Sequence, residues 1–336
     1  MNPEGLLSRT GAVSPDRLAR QVRRMYDMAP DAPFESLSEP LATWVSYAMD
    51  TVKRGRDVFE ELRPHGLRSG FRFLDAGCAY GGALAAAAEF GAREIVGIDH
   101  DEKLVSIARD LLSSAGLPVR IEAGSLSDLE LFAGLGTFDV ITCADVVEHV
   151  DDAAKTINHL ARALAPGGLL YLATPNPRNP AWVLRDPHFQ IFGITLLPPP
   201  LAREYARVVL GHNFYDIGDF GSLAGYRSLL EREGLSVELI NAPVDAAAGL
   251  RQLHAELDAL EAETDRFADD RLAPELEREV RGRARGLATE LRARLLSAEG
   301  GHRRWWSRRR GGESREIARV VAEYGVQTWH LLGRRA

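Results

Sequence analysis

At 336 residues the chain is long enough for one good core plus extra elements. Apolar residues make up 45% and charged residues 26%, an ordinary globular mix, and a net charge of −7 argues against a general nucleic-acid binder. Two cysteines, Cys78 and Cys143, fit a reducing compartment with no disulfide framework, and no run approaches a membrane span, so a cytoplasmic protein without a transmembrane segment is expected.

Ser14-Pro15-Asp16 predicts a helix start, with Ser14 as N-cap and Pro15 in the first turn, running to about Met28. Residues 31–40 are Pro-rich and punctuating. A longer helix is predicted from Pro40 to about Leu62, carrying Leu41, Trp44, Val45, Met49 and Val52 on one face. Its Trp44 and Tyr47 either contribute to a lid or pack plainly against the sheet.

The stretch around which the chain is organised comes next. Residues 71–82 read Phe-Arg-Phe-Leu-Asp-Ala-Gly-Cys-Ala-Tyr-Gly-Gly: an apolar run, an acid, then a glycine turn into an alanine-rich helix. Glycines at 77, 81 and 82 let the backbone approach a ligand closely, and the helix after them aims its N–H groups at the same spot. The dinucleotide fingerprint G-x-G-x-x-G is not met, because Ala79 stands where its second glycine would be. A second strand, 94–99, ends in Asp99, placed to take ribose hydroxyls. A third, 119–123, ends at Gly124-Ser125-Leu126. A fourth, 138–143, leads into Ala144-Asp145-Val146-Val147-Glu148-His149-Val150, and a fifth, 168–174, into Pro175-Asn176-Pro177. Helices at 101–115 and 153–164 alternate with these strands. That alternation predicts a doubly wound, mostly parallel sheet, with ligands at the carboxyl ends of its strands.

Residues 175–200 hold seven prolines and read as a long irregular loop of functional character, continued by 208–216. A helix over 217–233 and a sixth strand over 235–240 come after it. Leu250, Leu253, Leu257 and Leu260, then Leu276, Val280, Leu287, Leu291 and Leu295, predict two long helices dense in Glu and Arg. They form either a partner or homodimerisation hairpin or a solvated hairpin resting on the core. The Arg- and Trp-rich stretch 302–310 reads either as a surface for anionic lipid or phosphate or as a loop with its tryptophans packed inward. Residues 325–333 alternate like a last strand.

Asp75-x-Gly77-x-x-x-Gly81, then Asp99, then Asp145-x-x-Glu148-His149-Val150 together resemble the class I S-adenosylmethionine-dependent methyltransferases, over roughly residues 69–240. The resemblance implies a Rossmann-like seven-stranded sheet, mostly parallel, whose antiparallel last strand inserts beside the fifth. It divides the chain into an N-terminal helical lid (1–68), a cofactor-binding domain (69–243 plus 325–336) and a helical insertion (244–324). It implies that Gly77, Ala79 and Gly81 border the methionine part of S-adenosyl-L-methionine, that Asp75 helps hold its amino group, that Asp99, with His100 beside it, takes the ribose, and that Ser125, Leu126 and Ala144 complete the cofactor contacts.

Methyl transfer from a sulfonium is an in-line displacement, and a hydroxyl acceptor needs a base or a metal. If a helix begins just after strand four, Asp145, Glu148 and His149 share one face at i, i+3, i+4 spacing. The arrangement resembles the acid-x-x-Glu-His motif of the ubiquinone-pathway and small-RNA 2′-O-methyltransferases, with Asp145 where those carry Glu. Three roles stay open for His149: ligand to a Mg²⁺ or Mn²⁺ ion with Asp145, Glu148 and His212 (His188 second choice), base without a metal, or a structural residue. The expected activity is O-methylation of a hydroxylated small-molecule or glycan acceptor. An N-methyltransferase on a small amine or peptide and a non-catalytic cofactor-binding scaffold are the competing readings.

Overall fold

The computed structural model describes residues 13–305 and 315–336, with side chains described up to residue 299 in the first of these spans. The Arg- and Trp-rich stretch 302–310 lies outside the described side chains. The chain divides into two compact units. One comprises Met1–Leu172, Ser228–Glu238 and Leu331–Ala336; the other comprises Ala173–Arg227 and Leu239–His330.

Seven strands form one sheet: β1 (Arg72–Ala76), β2 (Glu94–Asp99), β3 (Arg120–Ala123), β4 (Phe138–Ala144), β5 (Leu164–Pro175), β6 (Leu235–Leu239) and β7 (Thr328–Arg335), in the order β3-β2-β1-β4-β5-β7-β6. β1 runs parallel to both β2 and β4, and β2 parallel to β3. The sheet is mostly parallel with antiparallel last strands, as the alternating pattern and the closing strand imply. Strand order reverses between β1 and β4, so the crevice at their carboxyl ends is the place such sheets offer a ligand. Asp75 of β1 registers with Gly97 of β2 on one side and Thr142 of β4 on the other.

Local chemistry places most of the helices. Ser14 caps α1 (Pro15–Met25), accepting from the Arg17 N–H at 3.3 Å. The single helix expected over 40–62 is two, α2 (Leu41–Met49) and α3 (Thr51–Leu62), separated at Asp50. The reason lies in what α3 must meet. It crosses α4 (Gly82–Glu89), the helix after the glycine turn, at a point where neither has a side chain. A Cβ on Gly55 would sit 2.6 Å from the Gly82 carbonyl oxygen, and one on Gly82 would sit 2.2 Å from the Thr51 carbonyl oxygen. The break at Asp50 frees α3 to take this direction. Phe59 of the same helix then packs on Phe73 and Phe90, each with ring centroids 5.1 Å away.

α2 and α1 cover the glycine turn. Leu18, Val22, Val45 and Ala48 form one buried cluster with Tyr80 of the turn and with Ile107 and Leu111 of α5 (Glu102–Ser114). Arg17 and Gln21 of α1 both hold Asp110 of α5, Gln21 at 2.6 Å. A short α6 (Leu129–Phe132) precedes β4, and α7 (Ala153–Arg162) comes after it, capped by Asp152.

The second unit begins as β5 ends. The stretch read as one long loop contains α8 (Pro180–Leu184), a 3₁₀ turn at Ile194–Leu196 and α9 (Pro199–Leu210). Prolines 198–200 do not break this chain; they start a helix, where a missing N–H costs nothing. The helix expected over 217–233 begins only at Leu223, as α10 (Leu223–Arg232), with Gly218 and Gly221, both poor helix formers, in the irregular chain before it. α11 (Ala246–Arg266) and α12 (Pro274–Trp305) form the expected pair, with Leu253, Leu257, Leu260, Val280, Leu291 and Leu295 fully buried. α13 (Arg315–Val320) passes into a π-turn, Val321–Gly325.

The Gly55–Gly82 crossing gives a direct test. Backbone atoms cannot move aside for a methyl group, so Gly55→Ala is expected to cost about 1–3 kcal/mol despite its better helix propensity. Gly286 of α12 is exposed and, among the described residues, nothing lies within 4 Å of a Cβ there. Gly286→Ala should instead gain about 0.5–1 kcal/mol. Urea unfolding of both variants measures the contrast, and equal effects of the two substitutions would remove the crossing from the account.

Candidate active site

The glycine turn is built from three left-handed residues: Gly77 at φ 88°, Ala79 at φ 42° and Gly81 at φ 81°. Gly77 needs its missing side chain twice over, because a Cβ there would lie 2.2 Å from Val146 Cγ2, beyond the end of β4. The turn is tied to β2: the N–H groups of Gly77 and Cys78 both donate to the Ile98 carbonyl, at 2.8 and 2.9 Å. Ala79 N–H donates to Asp99 Oδ2 at 2.8 Å, and Asp101 N–H donates to Asp99 Oδ1 at 2.9 Å. Asp99 is therefore a structural keystone of the turn as well as the acid expected at a ribose. His100 beside it is exposed, with Nδ1 3.6 Å from Asp99 Oδ1.

Asp75 is almost fully buried and accepts the Thr142 hydroxyl at 2.7 Å. Burial pushes its carboxyl up to about 7; the Thr142 hydrogen bond opposes this, the charge on Asp99 adds to it, and Arg54 opposes it. Burial likewise pushes the thiols of Cys78 and Cys143 far up, so neither is a thiolate at neutral pH. At the end of β3, Ser125 is exposed and Leu126 is buried, with its carbonyl 3.0 Å from His159 Nδ1.

Beyond β4 the chain does not enter a helix. Ala144 ends the strand, Asp145 adopts φ 55°, and 147–149 form a turn closed by the His149 N–H on the Val146 carbonyl at 2.9 Å; α7 begins only at Ala153. The condition for a shared helical face of residues 145, 148 and 149 is not met. Gly77 explains why: Val146 fills the space against its bare Cα, which holds this segment in a tight turn. Glu148 is fully buried and His149 half-buried, and their ligand atoms lie within 4.8 Å of one another. Asp145 is engaged differently. Its Oδ2 accepts the Tyr47 hydroxyl at 3.0 Å and lies 3.5 Å from Arg54 Nη2. The Arg54 guanidinium carbon stands 3.2 Å from the centre of the Tyr47 ring. Arg54 Nη1 is buried with no hydrogen-bond partner among the described residues. Tyr47 is 40% exposed over the whole residue, yet loss of water around its phenol and the Asp145 charge push that phenol up, keeping it neutral.

His188 and His212 belong to the second unit. There the Pro-rich start of the segment has a definite job. Asn176 and Asn179, both fully buried, cap the carbonyls left open by the π-turn: Asn176 Nδ2 donates to Glu323 and Val326, and Asn179 Nδ2 donates to Tyr324. Asp186 is buried too and accepts the N–H groups of His188, Phe189 and Ile191.

Arg54 and Thr142 have no signature of their own in the sequence, and Tyr47 stands out there only as a lid or packing residue beside Trp44. Thr142 is visible only through the β1–β4 register, and Arg54 only through Gly55, whose contact with Gly82 cannot be read from either residue alone.

A glycine turn at a topological switch point, acids at the ends of three neighbouring strands and a half-buried arginine beside them define a Rossmann-like site for a charged small ligand. Residues 42–239 match the family described as methyltransferase domain, and the chain belongs to that family, within the class I S-adenosylmethionine-dependent methyltransferases. It is 37% identical over 116 residues to a ubiquinone biosynthesis O-methyltransferase of Thiobacillus denitrificans, covering 34% of this chain and 49% of that protein. It is 33% identical over 169 residues to one of Xanthomonas oryzae pv. oryzae, covering 49% and 62%. The chain thus spans about half to three fifths of the length of these relatives. A putative sarcosine dimethylglycine methyltransferase from Galdieria sulphuraria is 18% identical, with 87% of each chain covered and a TM-score of 0.45. No helix among the described residues is long and apolar enough to cross a membrane.

Thr142→Val keeps the side-chain shape but removes the hydroxyl that favours ionised Asp75. The Asp75 carboxyl, already near 7, should titrate higher still. Carboxyl-carbon NMR of labelled protein reads this directly, and a titration unmoved by the substitution would show that the hydrogen bond has no hold on Asp75.

Proposed function

We propose that the protein transfers a methyl group from S-adenosyl-L-methionine to a hydroxyl oxygen of a small-molecule or glycan acceptor. Family membership and the relatives named as O-methyltransferases support the reaction class. The observation that carries the cofactor assignment is the keystone Asp99: each oxygen takes one backbone N–H and keeps a lone pair for a ribose hydroxyl. Gly77, Ala79 and Gly81 border the methionine part, Asp75 takes its ammonium group, and the partnerless Nη1 of Arg54 suits its carboxylate. His100, Ser125, Leu126 and Ala144 stand at strand ends where the ribose and adenine would lie. Residues 1–68 then serve as a cover, 69–243 with 325–336 as the cofactor domain, and 244–324 as a helical insertion with a homodimer contact as its natural use.

In the reaction an acceptor oxygen attacks the methyl carbon as the carbon–sulfur bond breaks, and the electron pair leaves with sulfur as a thioether. The hydroxyl proton must go elsewhere, and His149, beside buried Glu148, is the base assigned to take it. The donor set only partly suits a divalent metal. Glu148 and His149 offer a carboxylate and an imidazole, which fit Mg²⁺ or Mn²⁺. Asp145 fits less well, because its Oδ2 is engaged by the Tyr47 hydroxyl and lies beside a guanidinium. A bound ion would lower the pKa of the acceptor hydroxyl. His212 and His188 are the histidines whose replacement tests for a further ligand.

His149→Ala should cut turnover about a hundredfold or more while cofactor affinity stays nearly intact. Activity lost in EDTA and restored by Mg²⁺ or Mn²⁺ supports the metal; full activity in EDTA leaves His149 as a plain base. Parent-like turnover in His149→Ala discards both.

The raised Asp75 pKa carries a second consequence. Below about 7 the carboxyl is protonated without ligand, yet an ammonium group is held by the ionised form. Cofactor binding should release a proton from Asp75, and affinity should climb as pH rises from about 5.5 to about 7.5. Calorimetry in buffers of different ionisation enthalpy counts the protons. Affinity independent of pH over that window would take Asp75 away from the ammonium group.

A further inference from the structure

Asp145 stands where the acid-x-x-Glu-His pattern puts an acid of the acceptor chemistry. Its surroundings assign it to other work. Three side chains from three elements hold one another: Tyr47 of α2, Arg54 of α3 and Asp145 after β4. The Tyr47 hydroxyl donates to Asp145 at 3.0 Å, and its ring lies under the Arg54 guanidinium. Asp145 Oδ2 is the anionic partner of Arg54 Nη2, at 3.5 Å. One face and one edge of the guanidinium are thus fixed, and Nη1 remains, buried and without a partner among the described residues. A buried guanidinium N–H with nothing to donate to is expensive unless a ligand completes it.

The backbone under Arg54 is already placed by packing. Gly55, the next residue, is in direct contact with Gly82 at the start of the helix beyond the glycine turn. What remains free in Arg54 is its long side chain, and the Tyr47–Asp145 pair removes that freedom. Asp145 itself is held in a left-handed conformation, φ 55°, which Asp and Asn accept more readily than most residues. An acid that served as base or metal ligand would need an accessible lone pair away from a cation. Asp145 has a phenol and a guanidinium on the same oxygen.

We propose that Asp145 is a positioning residue for the cofactor: through Arg54, and with Tyr47 as the stacking partner, it preorganises Nη1 to receive the carboxylate of the methionine moiety. This rests on the cofactor reading above and changes the role that reading's motif gives to Asp145. The pair Glu148 and His149 keeps the acceptor chemistry, and Asp145 leaves it.

The test is calorimetry of the full chain with two probes, S-adenosylhomocysteine, which carries the amino-acid end, and adenosine, which lacks it. Asp145→Asn keeps a hydrogen-bond acceptor for Tyr47 and tolerates the left-handed backbone, but it removes the charge that fixes Arg54. It should weaken S-adenosylhomocysteine about three- to tenfold and leave adenosine unchanged, because an unfixed arginine must lose its rotamer freedom on binding. Arg54→Ala should weaken S-adenosylhomocysteine further, and the double variant should match Arg54→Ala alone. The cost in the methyl-transfer assay should fall on the cofactor KM more than on kcat. Additive losses, equal losses for both probes, or unchanged affinity with turnover cut about a hundredfold each overturn the proposal; the last returns Asp145 to the acceptor chemistry. If the parent protein binds S-adenosylhomocysteine no better than Arg54→Ala does, Arg54 is not at the carboxylate and the inference falls while Asp99 and Asp75 can stand. If the parent binds neither probe, the cofactor reading itself has failed.

Discussion

The close crossing of α3 and α4 is the constraint on which the first unit's site depends. Two helices rarely approach until backbone meets backbone. They do so here because Gly55 and Gly82 both lack a Cβ. The contact fixes the start of α4, whose N–H groups face the glycine turn. It also fixes the end of α3 that carries Arg54. One packing event thereby sets both the anion-favouring helix terminus and the cation beside it. The break at Asp50 belongs to the same solution, because a straight helix through 40–62 could not cover the turn with α2 and cross α4 with α3.

The second unit is held by a different principle. Its start, Pro175-Asn176-Pro177-Arg178-Asn179, meets a π-turn near the end of the chain, and wide turns of that kind leave carbonyls unpaired. Asn176 and Asn179 supply the missing donors, and the indole N–H groups of Trp329 and Trp182 reach Ala322 and Gln327. Most of these carbonyls are thus closed by side chains far away in sequence, 150 residues in the case of Asn176 and Val326. A one-residue slip of either segment would leave buried polar groups without partners, so the two ends of this unit specify each other's register.

The parts of this architecture legible in the sequence are those where one residue type answers one backbone demand. Gly77 and Gly81 announce a turn because few other residues take φ near 88° or 81°; Asp99 and Asp75 announce strand ends because an acid there interrupts an apolar run. Alternation announces β7, and leucine spacing announces α11 and α12. The rest is hidden because its meaning lies between distant residues. Arg54 reads as one more charge on an amphipathic helix until Gly55 is seen against Gly82. Prolines 198–200 read as punctuation, although proline favours a helix start as strongly as it opposes a helix interior. The 145–149 segment matches a helical spacing, yet Val146 filling the void over Gly77 turns it into a tight loop instead.

The three strand-end acids also show how like charges share one crevice. Asp99 is satisfied by two backbone N–H groups. Asp145 is satisfied by Tyr47 and by the opposite charge of Arg54. Asp75, between them in the sheet, has a neutral hydroxyl as its hydrogen-bond partner, and the like charge of Asp99 outweighs the opposing charge of Arg54, so burial leaves it straddling neutrality. The crevice therefore has one acid whose charge is unfinished, and a cation completes it. On the proposed function that cation is the ammonium group of the cofactor, and the sulfonium adds a second positive charge close by. Transfer of the methyl group removes the sulfonium charge and leaves the ammonium. The acidic surroundings thus favour the substrate form of the cofactor over the spent one electrostatically, while the contacts at Asp75, Asp99 and Arg54 treat both alike. On that same proposal, discrimination between them would come from the field of the crevice rather than from any hydrogen bond, in the direction that clears the site for another turnover.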